Sequence, residues 1–136
     1  MANELDTFIS ALQGKWATVT DINSAPDHPP EEPNVGMVVS YVIGGEPANL
    51  PAGTILHRGR SDVFVGRSDL YHDETYARPF IERGYVMFAN NVTMDASCAY
   101  CHAEGYEYGD LEGTGWFVIR FNWVAKIAHA AISVSA

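Results

Sequence analysis

A chain of 136 residues, 47% of them hydrophobic, is long enough for one packed domain and too apolar for a disordered segment. Seventeen acidic against eight basic side chains leave a net charge of -9, and such a surface repels phosphate backbones, which argues against sequence-specific nucleic-acid binding. No apolar run approaches the roughly 18 to 20 residues that cross a bilayer, the N-terminus lacks the pattern of an export signal, and two cysteines three positions apart make no disulfide framework; the expectation is a single domain over residues 1–136, off the membrane and kept in a cytoplasm.

Asn3 is placed to cap a first helix in which Leu5, Phe8, Ile9, Leu12 and Trp16 share one face at a 3.6-residue period. Ala17 to Ile22 is β-branched enough for a short strand. Asp21 to Asn34, with four prolines among four acids, reads as an exposed, extended loop. Val35 to Ile43 is the next strand, with Val35, Met37, Val39, Tyr41 and Ile43 on one face and Val38 and Val42 on the other, ended by Gly44-Gly45. A second loop follows from Glu46, and strand character returns in two pieces, Thr54 to His57 and Ser61 to Val65.

A second helix is expected within Asp73 to Asn91, with Ile81, Tyr85, Phe88 and Val92 on one face. Pro79 fits a helix best in its first turn, which puts the start near Ala77 or Arg78. Gly84 in its middle costs on the order of 1 kcal/mol of propensity, so tight packing or a bend is expected there.

The strongest pattern lies between Gly105 and Ile127. Phe117, Ile119, Phe121, Trp123, Ala125 and Ile127 alternate with Trp116, Val118, Arg120, Asn122, Val124 and Lys126, a strand with one dry face whose Arg120, Asn122 and Lys126 reach water. Asp110 to Gly115 is a turn sequence, and a partner strand runs through Tyr106 and Tyr108. The predicted fold is α+β: a largely antiparallel sheet, two helices on one face and a long C-terminal β-hairpin. Past Ile127 the alternation changes phase, so the core strand stops there. Trp116 and Val118, apolar on the outer face, and Ile132 and Val134 in the trailing segment are candidate subunit contacts. A helix laid over that face is the alternative for the first two.

Chemistry has one candidate. Cys98-Ala99-Tyr100-Cys101-His102 is C-x-x-C-H, the pattern in which two thiols bond a c-type haem and the adjacent imidazole ligates its iron, with Met87 or Met94 as the other axial ligand. Zinc through Cys98, Cys101 and a remote His57 or His129 is a second way to use the pair, although a structural site wants four ligands. No nucleophile elbow, zincin helix or phosphate loop is present, so no catalytic residue, metal or cofactor is assigned and the chain reads as a non-enzyme.

From Gly105-Tyr106-Glu107-Tyr108-Gly109-Asp110-Leu111-Glu112-Gly113 into Trp116-Phe117-Val118-Ile119-Arg120-Phe121-Asn122-Trp123, the sequence resembles the tail terminator proteins of long-tailed bacteriophages. The order of elements and the length agree with that family. The resemblance implies a virion protein, assembled in the host cytoplasm, that forms a hexameric ring, caps the tail tube protein, joins the head–tail connector and lets DNA pass through its lumen. A c-type electron carrier or another head–tail connector or minor tail protein is the alternative.

Overall fold

The structure, a computed structural model, describes residues 3–28, 33–48, 53–66, 70–111 and 115–130. Two helices and four strands follow one another as α1 (Glu4–Trp16), β1 (Val38–Pro47), β2 (Thr54–Gly66), α2 (Leu70–Asn90), β3 (Tyr100–Leu111) and β4 (Trp116–Ala128). The strands form one antiparallel sheet in the order β1-β2-β4-β3. The fold is therefore α+β with the helices on one side of the sheet, as the alternation in β4 predicts.

Helix α1 starts where its cap places it: the Asn3 carboxamide oxygen accepts from the Asp6 N–H at 2.8 Å, satisfying one of the free donors of the first turn. Its buried stripe is Phe8, Leu12, Gln13 and Trp16. Between the helices and the sheet lies a layer of rings. Phe8 packs on Trp123 at 5.2 Å between centroids, and Trp16 meets Phe121 at 5.4 Å and Phe88, edge to face, at 5.8 Å. Ile119, Phe121, Trp123, Ala125 and Ile127 of β4 all belong to this core.

Several expectations change in detail. Residues 17–22 form turns instead of a strand, and only Ser24 bridges to Met37. Strand β1 begins at Val38 and runs through Gly44-Gly45 to Pro47, because a bulge between Val42 and Gly44 absorbs the irregularity and pairing with β2 resumes beyond it. That bulge leaves Ile43 exposed, and Val35 lies outside the strand, also exposed. Strand β2 is continuous, since Gly59 stays in register opposite Trp123. Helix α2 begins at Leu70, so Pro79 sits well inside it, and Val92 lies beyond its end on the surface. Strand β4 ends at Ala128, where the phase breaks.

A chain of polar groups crosses the core. Ser40 gives its one proton to Gln13 Oε1, an acceptor only, so the direction is fixed: Trp123 Nε1 donates to Ser61 Oγ (3.1 Å), Ser61 to Ser40 Oγ (2.7 Å), Ser40 to Gln13 Oε1, and Gln13 Nε2 to the carbonyls of Val38 (2.8 Å) and Pro26 (2.9 Å). Every buried member is satisfied, which lets Gln13 replace an apolar side chain on α1 while tying that helix to β1, β2 and β4.

Candidate functional site

The helix-free face of the sheet carries the groups that the hairpin sends outward. Arg120 clamps Asp62 with two bonds, Nε to Oδ1 at 3.0 Å and Nη2 to Oδ2 at 3.3 Å, and the Tyr41 hydroxyl donates to the same carboxylate at 3.0 Å. Asp62 is almost wholly buried. The Asp62 hydrogen bond raises the Arg120 pKa, and burial, with the carboxylate beside it, raises that of Tyr41. Arg60 Nε reaches Asn122 Oδ1 at 3.3 Å, and Arg58 pairs with Glu46 at 2.8 Å and Glu104 at 3.6 Å. The expected water-facing row is thus a half-buried ionic lattice that crosses all four strands.

Trp116 and Val118, expected as outward contacts, are 8% and 0% exposed. They pack with Met37, Phe64 and the half-buried Val39 in a second, small core on this face, with Phe64 edge to face on Trp116 at 5.5 Å. Among the described residues that cover comes from Phe64 of β2, Val39 of β1 and Met37 just before it. Ile132 and Val134 lie outside the described residues.

Large exposed side chains gather instead around the free edge of β3. Tyr106 and Tyr108 of β3 are 45% and 37% exposed. Tyr106 meets Tyr85 at 6.3 Å and Tyr108 at 6.0 Å, and the Tyr108 hydroxyl donates to Glu74 Oε2 at 3.1 Å, tying the edge strand to α2. Aromatic rings with polar tips beside an unpaired strand edge make a surface suited to protein contact. Their spacing was visible in the sequence; their contacts with Tyr85 and Glu74 depend on how α2 crosses the sheet.

The C-x-x-C-H motif does not converge. Cys101 is fully buried in the core, and Cys98 is buried behind the turn that precedes β3, with its thiol 3.6 Å from the Val92 carbonyl. His102 follows Cys101 on a strand and therefore faces the opposite way, exposed and stacked on Tyr100 at 5.5 Å. Burial pushes the Cys98 thiol up to about 11 and raises Cys101 further, so both are protonated and poor ligands or nucleophiles. Met87 and Met94 are core residues. His57 and His129 meet each other and not the cysteines, and among the described residues no three His, Cys, Asp or Glu side chains gather as a metal site would require.

The turn carrying Cys98 is itself unusual. Met94, Asp95 and Ala96 all have positive φ, at 43°, 57° and 65°, a conformation that costs roughly 1 kcal/mol or more per non-glycine residue. The surroundings hold it: Met94 is fully buried, Asp95 pairs with Lys15 at 2.9 Å, and Ser97 Oγ donates to the Met94 carbonyl at 2.6 Å. Ala96 to Ala99 wall a groove of about 610 Å³ whose other sides are Asn3, Glu4, Thr7, Thr54, Lys126 and Ala128. The Thr54 hydroxyl is buried with no hydrogen-bond partner among the described residues.

Compared with known proteins, the chain matches no protein-family model and no curated sequence. Among the described residues no helix is long and apolar enough to cross a membrane.

Proposed function

We propose that this chain is a structural protein of a long-tailed bacteriophage, a tail terminator whose copies close into a ring, hexameric in the resemblance, that caps the tail tube and meets the head–tail connector. The observation that carries the reading is the polarity of the two outer strands. In the order β1-β2-β4-β3 every neighbour is antiparallel, so β1 and β3 run in opposite directions. Copies arranged head to tail around an axis would set β3 of one beside β1 of the next as an antiparallel pair, a heterologous contact that closes a ring when its rotation allows.

Other features support it. Beyond Val38, where Ser24 bridges, the described residues leave the outer edge of β1 unpaired, and beyond Cys101, whose N–H donates to the Val92 carbonyl, they leave that of β3 unpaired. The exposed tyrosines flank the second edge. A ring of subunits with a charge of -9 each is strongly acidic, and an acidic lumen would let DNA pass without adhering. No covalent chemistry enters: the ring acts by occupying contacts that the next ring of the tube would use.

Negative-stain imaging and mass photometry of the purified protein, alone and with tail tubes, test the reading. Closed rings of uniform mass, seated on tube ends, are the expected result. A protein that stays monomeric in both conditions, and is missing from purified virions by mass spectrometry, refutes it.

A further inference from the structure

At the opposite end of the sheet from the second core, three titratable groups from three separate parts of the chain stand in a row. His57 of β2 and His129, the first residue beyond β4, bring their Nε2 atoms to 2.9 Å, with the rings edge to face at 5.1 Å. On the far side of His129, its Nδ1 lies 3.7 Å from Oε2 of Glu4 in the first turn of α1. The backbone is tied at the same place: His129 N–H donates to the Gly53 carbonyl at 2.9 Å and Ala130 N–H to Glu4 Oε1 at 3.0 Å. Glu4 and Ala128 also line the groove beside the left-handed turn.

We propose that Glu4, His129 and His57 form an acid-sensitive clasp that holds the chain leaving β4 against α1 and β2 near neutral pH and releases it on acidification. Proton counting gives the mechanism. Two neutral imidazoles carry two ring protons, and Glu4 favours one of them on His129 Nδ1, leaving His129 Nε2 to accept from His57 Nε2–H. A third proton is accommodated, because one N–H still points at one lone pair and Glu4 balances the cation. A fourth sets two N–H groups face to face, so the bond becomes a repulsion between two cations.

Among the described residues nothing further offsets that fourth proton. From β1 the neighbour of His57 is the uncharged backbone of Gly45. From β4 it is Ala125, and beyond it in β3 the buried, protonated Cys101. Glu46, Arg58 and Lys126 belong to the other sheet face, where Glu46 and Arg58 pair with each other. Burial, and next the charge of His129, lower the pKa of His57. A group whose folded pKa is depressed contributes stability that is present above its unfolded value, about 6.5 for histidine, and lost as pH falls through the folded value. The clasp therefore opens below the ordinary histidine range. Glu4 is held low, chiefly by the Ala130 N–H, so it remains a carboxylate while this happens and loses its charge only below the ordinary carboxylate range.

This inference stands apart from the assembly role and is tested on the isolated chain. Amide hydrogen exchange, corrected for the intrinsic effect of pH, should show protection at His129 and Ala130 falling at least about tenfold between about pH 7.5 and about pH 5, with the Ile119 and Phe121 amides holding theirs. His57→Gln, which keeps a donor but cannot become the second cation, should flatten that response. Equal protection at both pH values, loss in step with the core strands, or an unchanged response in the variant overturns the clasp. If the variant does not fold, imidazole NMR titration of the wild-type chain decides: two steps about one unit or more apart support it, and two coincident, independent steps refute it.

Discussion

Gly59 in β2 and Gly84 in α2 are each pressed against aromatic rings, and both mark places where backbone must come closer to a neighbour than a side chain permits. A Cβ at Gly84 would lie 2.5 Å from Phe121 Cζ and 3.0 Å from Trp16 Cη2, while one at Gly59 would fall onto the Trp123 ring and 2.5 Å from the Tyr41 carbonyl. The helix-propensity cost at Gly84 thus sets α2 down on the sheet at close range. Gly84→Ala recovers about 1 kcal/mol of helix propensity against an overpacking cost of about 1 to 3 kcal/mol, so a net loss of about 1 kcal/mol is expected in urea melts. Gly59→Ala recovers a similar amount of backbone entropy but meets a rigid carbonyl as well as the ring, so a net loss of about 2 to 3 kcal/mol is expected. Equal stability of the two variants would contradict this account of the packing. Gln13 carries a different lesson. Its spacing, four after Ile9 and three before Trp16, puts it on the apolar face of α1, but its polar side chain argues against burial, because the partners that satisfy it, Ser40, Val38 and Pro26, come from far along the chain.

At the scale of elements, α2 departs most from expectation. Pro79 lacks the N–H that would bond the Thr75 carbonyl, and a proline there normally argues for a helix start. The helix nevertheless extends upstream to Leu70, with Arg78 and Glu74 paired one turn apart at 2.6 Å and Glu74 accepting from Tyr108. Tertiary contact with β3 therefore holds a turn that local preference opposes. Pro79→Ala should raise stability by about 1 to 2 kcal/mol, the restored hydrogen bond and relieved ring clash outweighing the unfolded-state entropy that proline removes. A higher urea midpoint with unchanged m-value is the expected readout. The hairpin behaves in the opposite way. Its pattern over β4, with a clean period of two and a glycine-rich turn before it, was enough to place strand, partner and inward face, because local and tertiary preferences agree there.

For the whole molecule, the position of the sheet between two cores decides what is chemically available. The helix side holds the larger core and both thiols, and the open side holds the ionic lattice and the smaller cluster around Phe64 and Trp116. Raising the Cys98 pKa from 9.0 to about 11 leaves about a hundredfold less thiolate at pH 8, before shielding is counted. Iodoacetamide at pH 8 should therefore modify both cysteines at least about a hundredfold more slowly in the native protein than in urea, read by mass spectrometry. Rapid native labelling of Cys101 would mean that β3 does not pair with β4 in the register that turns this thiol into the core. The strand also turns His102 away from the cysteine beside it, so the side chains of the C-x-x-C-H motif do not face one site.

What the amino-acid order determined alone was whatever depends on near neighbours: the Asn3 cap, the apolar stripe of α1, the dry face of β4 and the phase break after Ile127. Each is a short-period pattern read over one or two turns or a few alternations. Tertiary structure alone decided whatever joins distant segments. It buried Trp116 and Val118 under Met37 and Phe64, set Tyr106 against Tyr85 of α2, threaded Gln13 into a line of serines, and set His57 against His129 across 72 positions of sequence. Periodicity says which side of an element is dry, but what covers that side is fixed by how the elements pack, and no local pattern carries that information.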